Sequence, residues 1–445
     1  MLTSVAVSAI AIVASIILFI ILSYKGLSPI LAALLAAVIV GFTCEGGVIP
    51  AIFDTFVNQS INFIGTILLL FVMGGLFSAV LDMTGTTEAL ANGIVRYLGE
   101  KSIPFVIFLI SGVLCYLGVG AYQFIVAALA FGLLKKANMP KNVGLIAMLT
   151  ACNAVVYCLP GTTGAPNIMP TTFLNTTIYA GAGVGIMAFI IATALGLLYV
   201  YWMAHSYVKQ GIGYEQQSES MEGIVKSSQE KERKLPPFWT AIATLLILFA
   251  FSAIFTFVDA FGFDSTQAVI FAQIIAALWA CLINLKFIEK GTILSQLTRG
   301  VVNVLPIAIL MGFISGFGAV VQTTSAFGSL LSGLLSLNIS PYLLTFIGIA
   351  IMSACLGNGT SAMVMVLNAL SPVITTSDVN YNLIHRIATT TASTTDSMPH
   401  CPNVCVAIQA FGLTHKKSYK HVFFSTVCIP LIYAGAVTVV AMLIG

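Results

Sequence analysis

Long, uninterrupted runs of apolar residues recur from one end of the chain to the other. The regular runs are close to the ~20 residues that an α-helix needs to cross the hydrocarbon core of a bilayer. Backbone groups inside lipid must pair with one another, so only helices or a closed barrel can span it. Barrel strands would alternate apolar and polar positions, and these runs do not. The pattern predicts spanning helices over residues 5–22, 28–43, 61–81, 178–203, 238–258, 266–285 and 301–322, with one more at the C-terminal end.

Two further apolar stretches, 103–134 and 342–370, are too long for one straight crossing. The first would form a helix of roughly 48 Å, and it ends in a lysine cluster that favours the cytoplasmic side. Each stretch has a glycine-containing break at its centre: Leu117-Gly118-Val119-Gly120 in the first and Leu356-Gly357-Asn358-Gly359-Thr360 in the second. We therefore expect two re-entrant hairpins.

Two crossings are expected to be interrupted inside the membrane. Residues 142–175 contain Pro160-Gly161-Thr162-Thr163-Gly164-Ala165-Pro166-Asn167, and residues 383–414 contain Met398-Pro399-His400-Cys401-Pro402-Asn403. Proline in a helix interior removes a backbone hydrogen bond and clashes with the preceding turn. Both crossings are therefore predicted to be broken helices.

The lysines and arginines orient these segments, because both residues are enriched in cytoplasmic loops. Their distribution predicts ten crossings and two hairpins, with the N- and C-termini outside. Residues 45–54 and 323–340 are then outer loops, and the charged segment 205–236 is a cytoplasmic linker. Glu88 is expected in the first turn of a surface helix.

The two halves, 1–204 and 237–445, follow the same plan. The break at Gly118 aligns with the break at Gly357, and Pro160 aligns with Pro399, at an offset of about 239 residues. In the predicted topology the two hairpins enter from opposite sides, so the repeat is inverted. Inverted repeats with paired, interrupted helices are how many secondary transporters place a substrate site near the bilayer midplane.

Composition excludes several classes of protein. The 445 residues are 59% hydrophobic and 7% charged, whereas soluble domains carry about 25% charged residues. A net charge of +3 without a basic patch argues against a nucleic-acid partner. The nine cysteines are scattered, mostly in apolar runs, and are expected to pack rather than to bind metal. No H-E-x-x-H or G-x-S-x-G motif is present, so we expect neither an enzyme nor a cofactor.

The breaks provide the candidate site. Broken helices expose unpaired N–H groups at half-helix N-termini, which attract anions. No lysine or arginine falls at mid-membrane depth in this topology, so a small monocarboxylate is the expected substrate. The candidate substrate-binding residues are Gly118, Gly120, Thr162, Thr163, Asn167, Asn358, Gly359, Thr360, Ser361, Ser397, His400 and Asn403.

Asp396 and His400 are the strongest candidates for ion coupling, together with Thr395. An ionisable residue inside a membrane is costly and is usually functional, and histidine titrates near neutral pH. The pair could carry a proton, or oxygens near Asn358 and Thr360 could hold a sodium ion with Asp396. A third interpretation is that Asp396 only caps the following half-helix.

Three runs resemble the gluconate:proton symporter (GntP) family. They are Asp396-Ser397-Met398-Pro399-His400, Gly412-Leu413-Thr414-His415-Lys416-Lys417-Ser418-Tyr419, and Met73-Gly74-Gly75-Leu76-Phe77 with Thr84-Gly85. The first two are similar to the family's D-T-L-P-H and G-L-T-H-x-x-S-Y runs. The resemblance extends over most of the chain. It implies a plasma-membrane homodimer of the ion-transporter superfamily, with scaffold and transport domains and elevator-type motion.

The resemblance also implies a small hydroxy acid such as gluconate, D-serine or 3-hydroxybutyrate as substrate. The family's proline-rich run in the first broken crossing is replaced here by the stretch from Pro160 to Asn167. This difference favours a shorter, less hydroxylated acid, and we expect cation-coupled symport of a 3-hydroxybutyrate-like carboxylate. A cation/proton antiporter and a channel-like anion permease of the same architecture are the alternatives.

Overall fold

The described residues form helices joined by turns and short connections, without strands, which confirms the predicted all-α fold class. The structure is a computed structural model. It describes residues 4–25, 27–116, 122–162, 164–214, 234–258, 262–263, 265–288, 293–337 and 339–445.

The described residues of the first half form ten α-helices. A π-helical segment, Ala51–Phe56, joins the third to the fourth, so Asp54 lies in a helix and the predicted outer loop around it is wrong. The helices are α1 Val5–Tyr24, α2 Pro29–Gly41, α3 Val48–Pro50, α4 Val57–Met83, α5 Thr86–Leu98, α6 Ile103–Tyr116, α7 Tyr122–Lys136, α8 Lys141–Val156, α9 Ala165–Leu174 and α10 Ala182–Lys209.

The second half contains ten more in the described residues. A second π-helical segment, Phe424–Cys428, makes the last two helices continuous. They are α11 Phe238–Phe257, α12 Ser265–Ile283, α13 Ile293–Gln322, α14 Ser325–Leu335, α15 Pro341–Leu356, α16 Gly359–Thr376, α17 Tyr381–Ala392, α18 Pro402–Ala410, α19 His415–Phe423 and α20 Ile429–Ile444.

The order of helices repeats between the halves. Helix α5 begins at Thr86 and α14 at Ser325, 239 residues later, and α8 begins at Lys141 and α17 at Tyr381, 240 residues later. The contacts repeat as well, since α2 packs on α13 and α12 packs on α4. That the two copies are inverted across a membrane stays a prediction.

Helix length bears on the number of crossings. Four described helices are each long and apolar enough to span a bilayer: Val5–Tyr24, Ala182–Lys209, Ile293–Gln322 and the continuous His415–Ile444. A fifth span is possible if Val48–Gly65 and Leu68–Met83, bent by 47°, cross together. The other apolar helices are shorter, so the ten crossings stay a prediction.

The stretch 323–340 was predicted to be a loop, and that prediction is wrong because it contains α14. Thr324 caps this helix by accepting a hydrogen bond from the Phe327 N–H at 3.3 Å. Absence of basic residues indicates a side of the membrane but does not distinguish a loop from a short helix. Its counterpart α5 was predicted as a helix and has Glu88 in its first turn, as expected.

Helices α4 and α13 form the most extensive helix pair of the described structure. They approach closely at glycines: a Cβ on Gly75 would clash with the Gly300 carbonyl oxygen, and one on Gly316 would lie 2.7 Å from the Phe56 carbonyl oxygen. Small residues allow such backbone contact between helices in membranes. Gly312 also faces Ile64 and Ser60 on the partner helix, so the Gly312-x-x-x-Gly316 motif is a packing motif.

Candidate functional site

The two interrupted crossings meet at a pair of residues that occupy equivalent places in the two halves. Tyr157 follows α8, and Asp396 lies between α17 and α18. The Tyr157 hydroxyl donates a hydrogen bond to Asp396 Oδ2 at 3.3 Å, and the two residues are 239 positions apart. The two broken crossings therefore contact each other at this pair.

Asp396 is a buried carboxyl group with few partners. Besides Tyr157, the Ser397 hydroxyl donates to its Oδ1 at 2.9 Å, and no cationic side chain pairs with it among the described residues. Ser397 is fixed in turn, because its backbone carbonyl accepts a hydrogen bond from the Tyr419 hydroxyl at 3.1 Å. The carboxyl oxygens are therefore placed where a proton or a small cation could be held.

The second hairpin turns at Gly357 and packs against His400. Gly357 has φ +61°, and a Cβ there would lie 2.7 Å from His400 Cδ2. The buried imidazole meets Phe19 and Phe317 edge-on at centroid distances of 6.3 and 6.2 Å. Neither ring nitrogen makes a hydrogen bond within the described structure, although the Cys355 backbone lies beside the ring. His400 is not hydrogen-bonded to Asp396, so they are separate features.

The hairpin tip also abuts the end of α17. A Cβ on Gly359 would overlap the Ala392 carbonyl oxygen, so only glycine fits this crossing point. The Thr395 hydroxyl donates to the Ala350 carbonyl of α15. Both contacts join the second hairpin to the second broken crossing.

A cavity of roughly 410 Å³ opens beside this junction. Asn358, Thr360 and Ser361 line it from the start of α16, as predicted for ligand residues, and Pro402 lines it from the start of α18. All residues of its lining are uncharged. The remaining polar lining side chains are Gln59, Ser315 and Gln322.

The start of α16 offers hydrogen-bond donors to this cavity. The first N–H groups of any helix lack partners in the preceding turn and carry partial positive charge. Asn358 caps one of them, because its Oδ1 accepts from the Ser361 N–H at 3.0 Å. The N–H groups of Gly359 and Thr360 are the uncapped donors of this turn within the described residues.

The first break is different, because its polar groups bond to the protein itself. The Thr162 hydroxyl donates to the Val156 carbonyl at 3.2 Å. Asn167 donates from Nδ2 to the carbonyls of Thr162 and Ile178 at 3.0 and 2.9 Å. Its Oδ1 contacts His385 Nε2 at 3.2 Å. Thr162 and Asn167 thus have their hydrogen-bonding capacity used within the fold.

Arg386, near the start of α17, is a buried cation that the sequence pattern did not mark as a candidate. Its side chain is fully buried. Nε and Nη2 donate to the Ala180 carbonyl at 3.1 and 2.6 Å, and Nη1 donates to the Cys158 carbonyl at 3.3 Å. Gly181 and Gly185 make room for it, since a Cβ at either would lie about 3 Å or less from the side chain. Arg386 clamps the first break and lies outside the cavity lining.

Asn403 is the remaining predicted residue that the structure describes. Asn403, in the first turn of α18, accepts a hydrogen bond through Oδ1 from Gln123 Nε2 at the start of α7. Gly118, Gly120 and Thr163 lie outside the described residues.

Comparison with known proteins decides the family. The model of the GntP family permease matches residues 5–444. The chain belongs to the GntP family of permeases. The resemblance predicted from the three sequence runs is confirmed, and this GntP-family chain is a membrane transporter rather than an enzyme.

Relatives of this GntP-family permease match it along most of their length. A Bacillus subtilis protein named uncharacterized transporter YxjC is 27% identical over 437 residues, 91% of this chain and 92% of that protein. The gluconate permease of Zymomonas mobilis is 24% identical over 378 residues, 81% of each chain. The D-serine transporter DsdX of Escherichia coli is 22% identical over 367 residues, 78% of each. The crystal structure of the YdaH transporter of Alcanivorax borkumensis covers 89% of this chain and 88% of its own at 16% identity, with a TM-score of 0.39.

Sequence reasoning missed the cavity residues of the permease that come from the long helices. Gln59 was placed before the helix predicted to begin at residue 61, but α4 begins at Val57. Ser315 lies inside the Gly312-x-x-x-Gly316 packing motif on α13. An isolated glutamine or serine in an apolar helix was the available signal, and only the packing of α13 on α4, α15 and α18 shows which of them face a cavity.

Proposed function

We propose that the protein is a secondary active transporter that carries a small hydroxy-monocarboxylate in symport with a cation. A 3-hydroxybutyrate-like acid is the preferred substrate and gluconate the second candidate. The cavity beside α16 is the proposed substrate site.

The observation that carries this proposal is the cavity with helix N–H donors and no charged lining. A single carboxylate can be held at the positive end of α16, where Thr360 lines the cavity and its N–H is uncapped. A second negative charge would need a cationic side chain, and Arg386 is already engaged by two carbonyls away from the lining. The site therefore favours a monocarboxylate over a dicarboxylate or phosphate.

The names of the relatives are consistent with this chemistry. Gluconate and D-serine both carry a carboxylate and at least one hydroxyl group, and these are the substrates named for two relatives. The cavity here also has apolar lining from Met169, Val364 and Met365. Such side chains suit an acid with fewer hydroxyl groups than gluconate.

Asp396 is the proposed coupling residue. A buried carboxylate without a cationic partner is costly, and binding of a proton or a sodium ion would remove that cost. The two O–H donors, Tyr157 and Ser397, would orient the carboxylate for either ion. The proposal leaves the choice between proton and sodium to experiment.

An elevator-type mechanism would move one group of helices past another. Helices α4 and α13 pack on each other through glycine contacts, while the second hairpin and the broken crossings pack around Gly357 and Gly359. We propose the first group as scaffold and the second as transport domain, in a homodimer embedded in plasma-membrane lipid with both termini outside.

The test is uptake of labelled 3-hydroxybutyrate into proteoliposomes, with a proton gradient and a sodium gradient imposed separately. Saturable uptake stimulated by one gradient alone would support the symporter. Non-saturating flux independent of any gradient would indicate the channel-like permease, and cation exchange without carboxylate uptake would indicate the antiporter.

A further inference from the structure

The cavity has two chemically different walls. One wall is the start of α16, with its N–H donors and Asn358. The facing wall comes from the long helices, with Gln59 on α4 and Ser315 and Gln322 on α13. The two walls thus belong to different helix groups, joined near the tip of the hairpin where Leu356 lies against Gly318.

The polar side chains of the facing wall make few hydrogen bonds within the described structure, so a role in folding alone does not explain them. Gln59 is exposed, and its only described hydrogen bond is a long one, from Nε2 to Ser315 Oγ at 3.4 Å. Gln322 is exposed as well. A carboxamide facing lipid would lack hydrogen-bond partners at a substantial cost. Facing a cavity that admits a hydroxylated solute removes that cost.

The chemistry of this wall matches a hydroxyl group rather than a carboxylate. A glutamine side chain both donates and accepts, and so does a serine hydroxyl, as an alcohol does. A carboxylate only accepts, and the helix N-terminus across the cavity already provides donors for it. Neither wall contains a charge that would compete for the anion.

We propose that Gln59 and Ser315, with Gln322 beside them, are the specificity-determining residues that recognise the hydroxyl group of the substrate. This inference rests on the proposed hydroxy-monocarboxylate transport. The carboxylate binds at α16, and the α4–α13 wall distinguishes a hydroxy acid from the unsubstituted acid of the same length. Replacing a wall residue that binds the hydroxyl group should therefore change the preference between the two acids more than it changes the maximal rate of uptake.

The experiment compares 3-hydroxybutyrate with butyrate as competitors of labelled 3-hydroxybutyrate uptake in proteoliposomes. Wild-type protein should bind the hydroxy acid about fivefold more tightly, the difference expected for one net hydrogen bond of roughly 1 kcal/mol. Gln59→Leu and Ser315→Ala should each raise the KM for the hydroxy acid severalfold and leave inhibition by butyrate unchanged. The ratio of the affinity for the hydroxy acid to that for butyrate should therefore fall towards one.

Asn58→Leu is the matched control. Asn58 is also exposed on α4, but its Nδ2 donates to the Asp54 carbonyl at 2.7 Å and it does not line the cavity. The control should keep the wild-type preference.

The possible outcomes separate the two claims. An unchanged preference in both Gln59→Leu and Ser315→Ala, with wild-type uptake intact, would overturn the hydroxyl wall and leave the transport function standing. Absence of any carboxylate uptake by the wild-type protein, with gluconate and D-serine also tried, would overturn the proposed function and this inference with it.

Discussion

The two breaks of the chain have the same place in the helix order but different polar environments. At the first, Asn167 makes three hydrogen bonds within the protein, and Arg386 binds the Cys158 carbonyl at the end of α8. At the second broken crossing, Asp396 has two hydroxyl donors, and the second hairpin packed beside it presents Asn358, the cap of α16, to an open cavity. The first broken crossing is held by hydrogen bonds within the protein, whereas the second, together with its hairpin, borders a cavity with polar lining.

The two halves therefore repeat the order of helices but differ in the hydrogen bonds made by their polar side chains. Helix α17 contributes to both breaks: His385 and Arg386 near its start clamp the first, and Ala392 at its end contacts the second hairpin at Gly359. One helix therefore contacts both the first broken crossing and the tip of the second hairpin. Substitutions in the two regions should have different consequences, stability for the first and transport for the second.

The largest effect on stability is expected from Arg386→Met. The change leaves the buried carbonyls of Cys158 and Ala180 without their partner, and each orphaned group costs about 1–3 kcal/mol. The unfolding temperature in detergent should fall strongly. Arg96→Met is the control, because Arg96 is exposed on α5, and it should leave that temperature close to wild type. An unfolding temperature equal to wild type in Arg386→Met would contradict the clamp.

Asp396→Asn should abolish gradient-driven accumulation while the protein stays folded. The amide is close in size to the carboxyl group, and its single oxygen can still accept from one of the two hydroxyls, Tyr157 or Ser397, but it carries no charge to bind a proton or cation. We expect accumulation to fall at least about a hundredfold, the scale of losing a specific charged contact worth roughly 2–3 kcal/mol. Asp378→Asn, in the turn before α17, should accumulate substrate normally. Normal coupling in Asp396→Asn would contradict the coupling role; capping would not explain Asp396 either, because the N-cap of α18 is Cys401.

The parts of this architecture that sequence predicts are those with a strong local signal. Glycine and proline interrupt helices by their own stereochemistry; α15 ends at Leu356, directly before Gly357, and α8 ends at Val156, shortly before Pro160. Helix α17 ends at Ala392, well before Pro399, so its end lacks such a local signal. Arg386 could not be recognised in the same way. A single arginine near a predicted helix end is usually exposed, and its burial depends on carbonyls more than 200 residues away in the chain.

Sequence reasoning identified only one wall of the candidate cavity, the start of α16. Asn358, Thr360 and Ser361 follow a visible helix break, so a local rule finds them. Gln59 and Ser315 join them only through tertiary packing of α4 and α13, for which the sequence has no local marker.

A smaller effect is expected from Gly357→Ala, which tests the contact between the hairpin tip and His400. An alanine at φ +61° costs about 1–2 kcal/mol, and its methyl group would also approach His400 Cδ2. Gly211→Ala is the matched control, since Gly211 has φ +68° and no atom lies within 4 Å of the place its methyl group would take. Gly357→Ala should lower the unfolding temperature more than Gly211→Ala. Equal shifts would mean that backbone strain accounts for all of the effect and that the His400 contact is loose.

The most direct test of the asymmetry is the thermal stabilisation that 3-hydroxybutyrate gives to wild-type protein, Asn358→Ala and Asn167→Ala in detergent. A ligand stabilises a folded protein according to its concentration relative to Kd, so the shift reports binding without a gradient. We predict that Asn167→Ala unfolds at a lower temperature but keeps the wild-type ligand shift, whereas Asn358→Ala loses the shift. A ligand shift that persists in Asn358→Ala and disappears in Asn167→Ala would place the substrate at the first break and contradict the account.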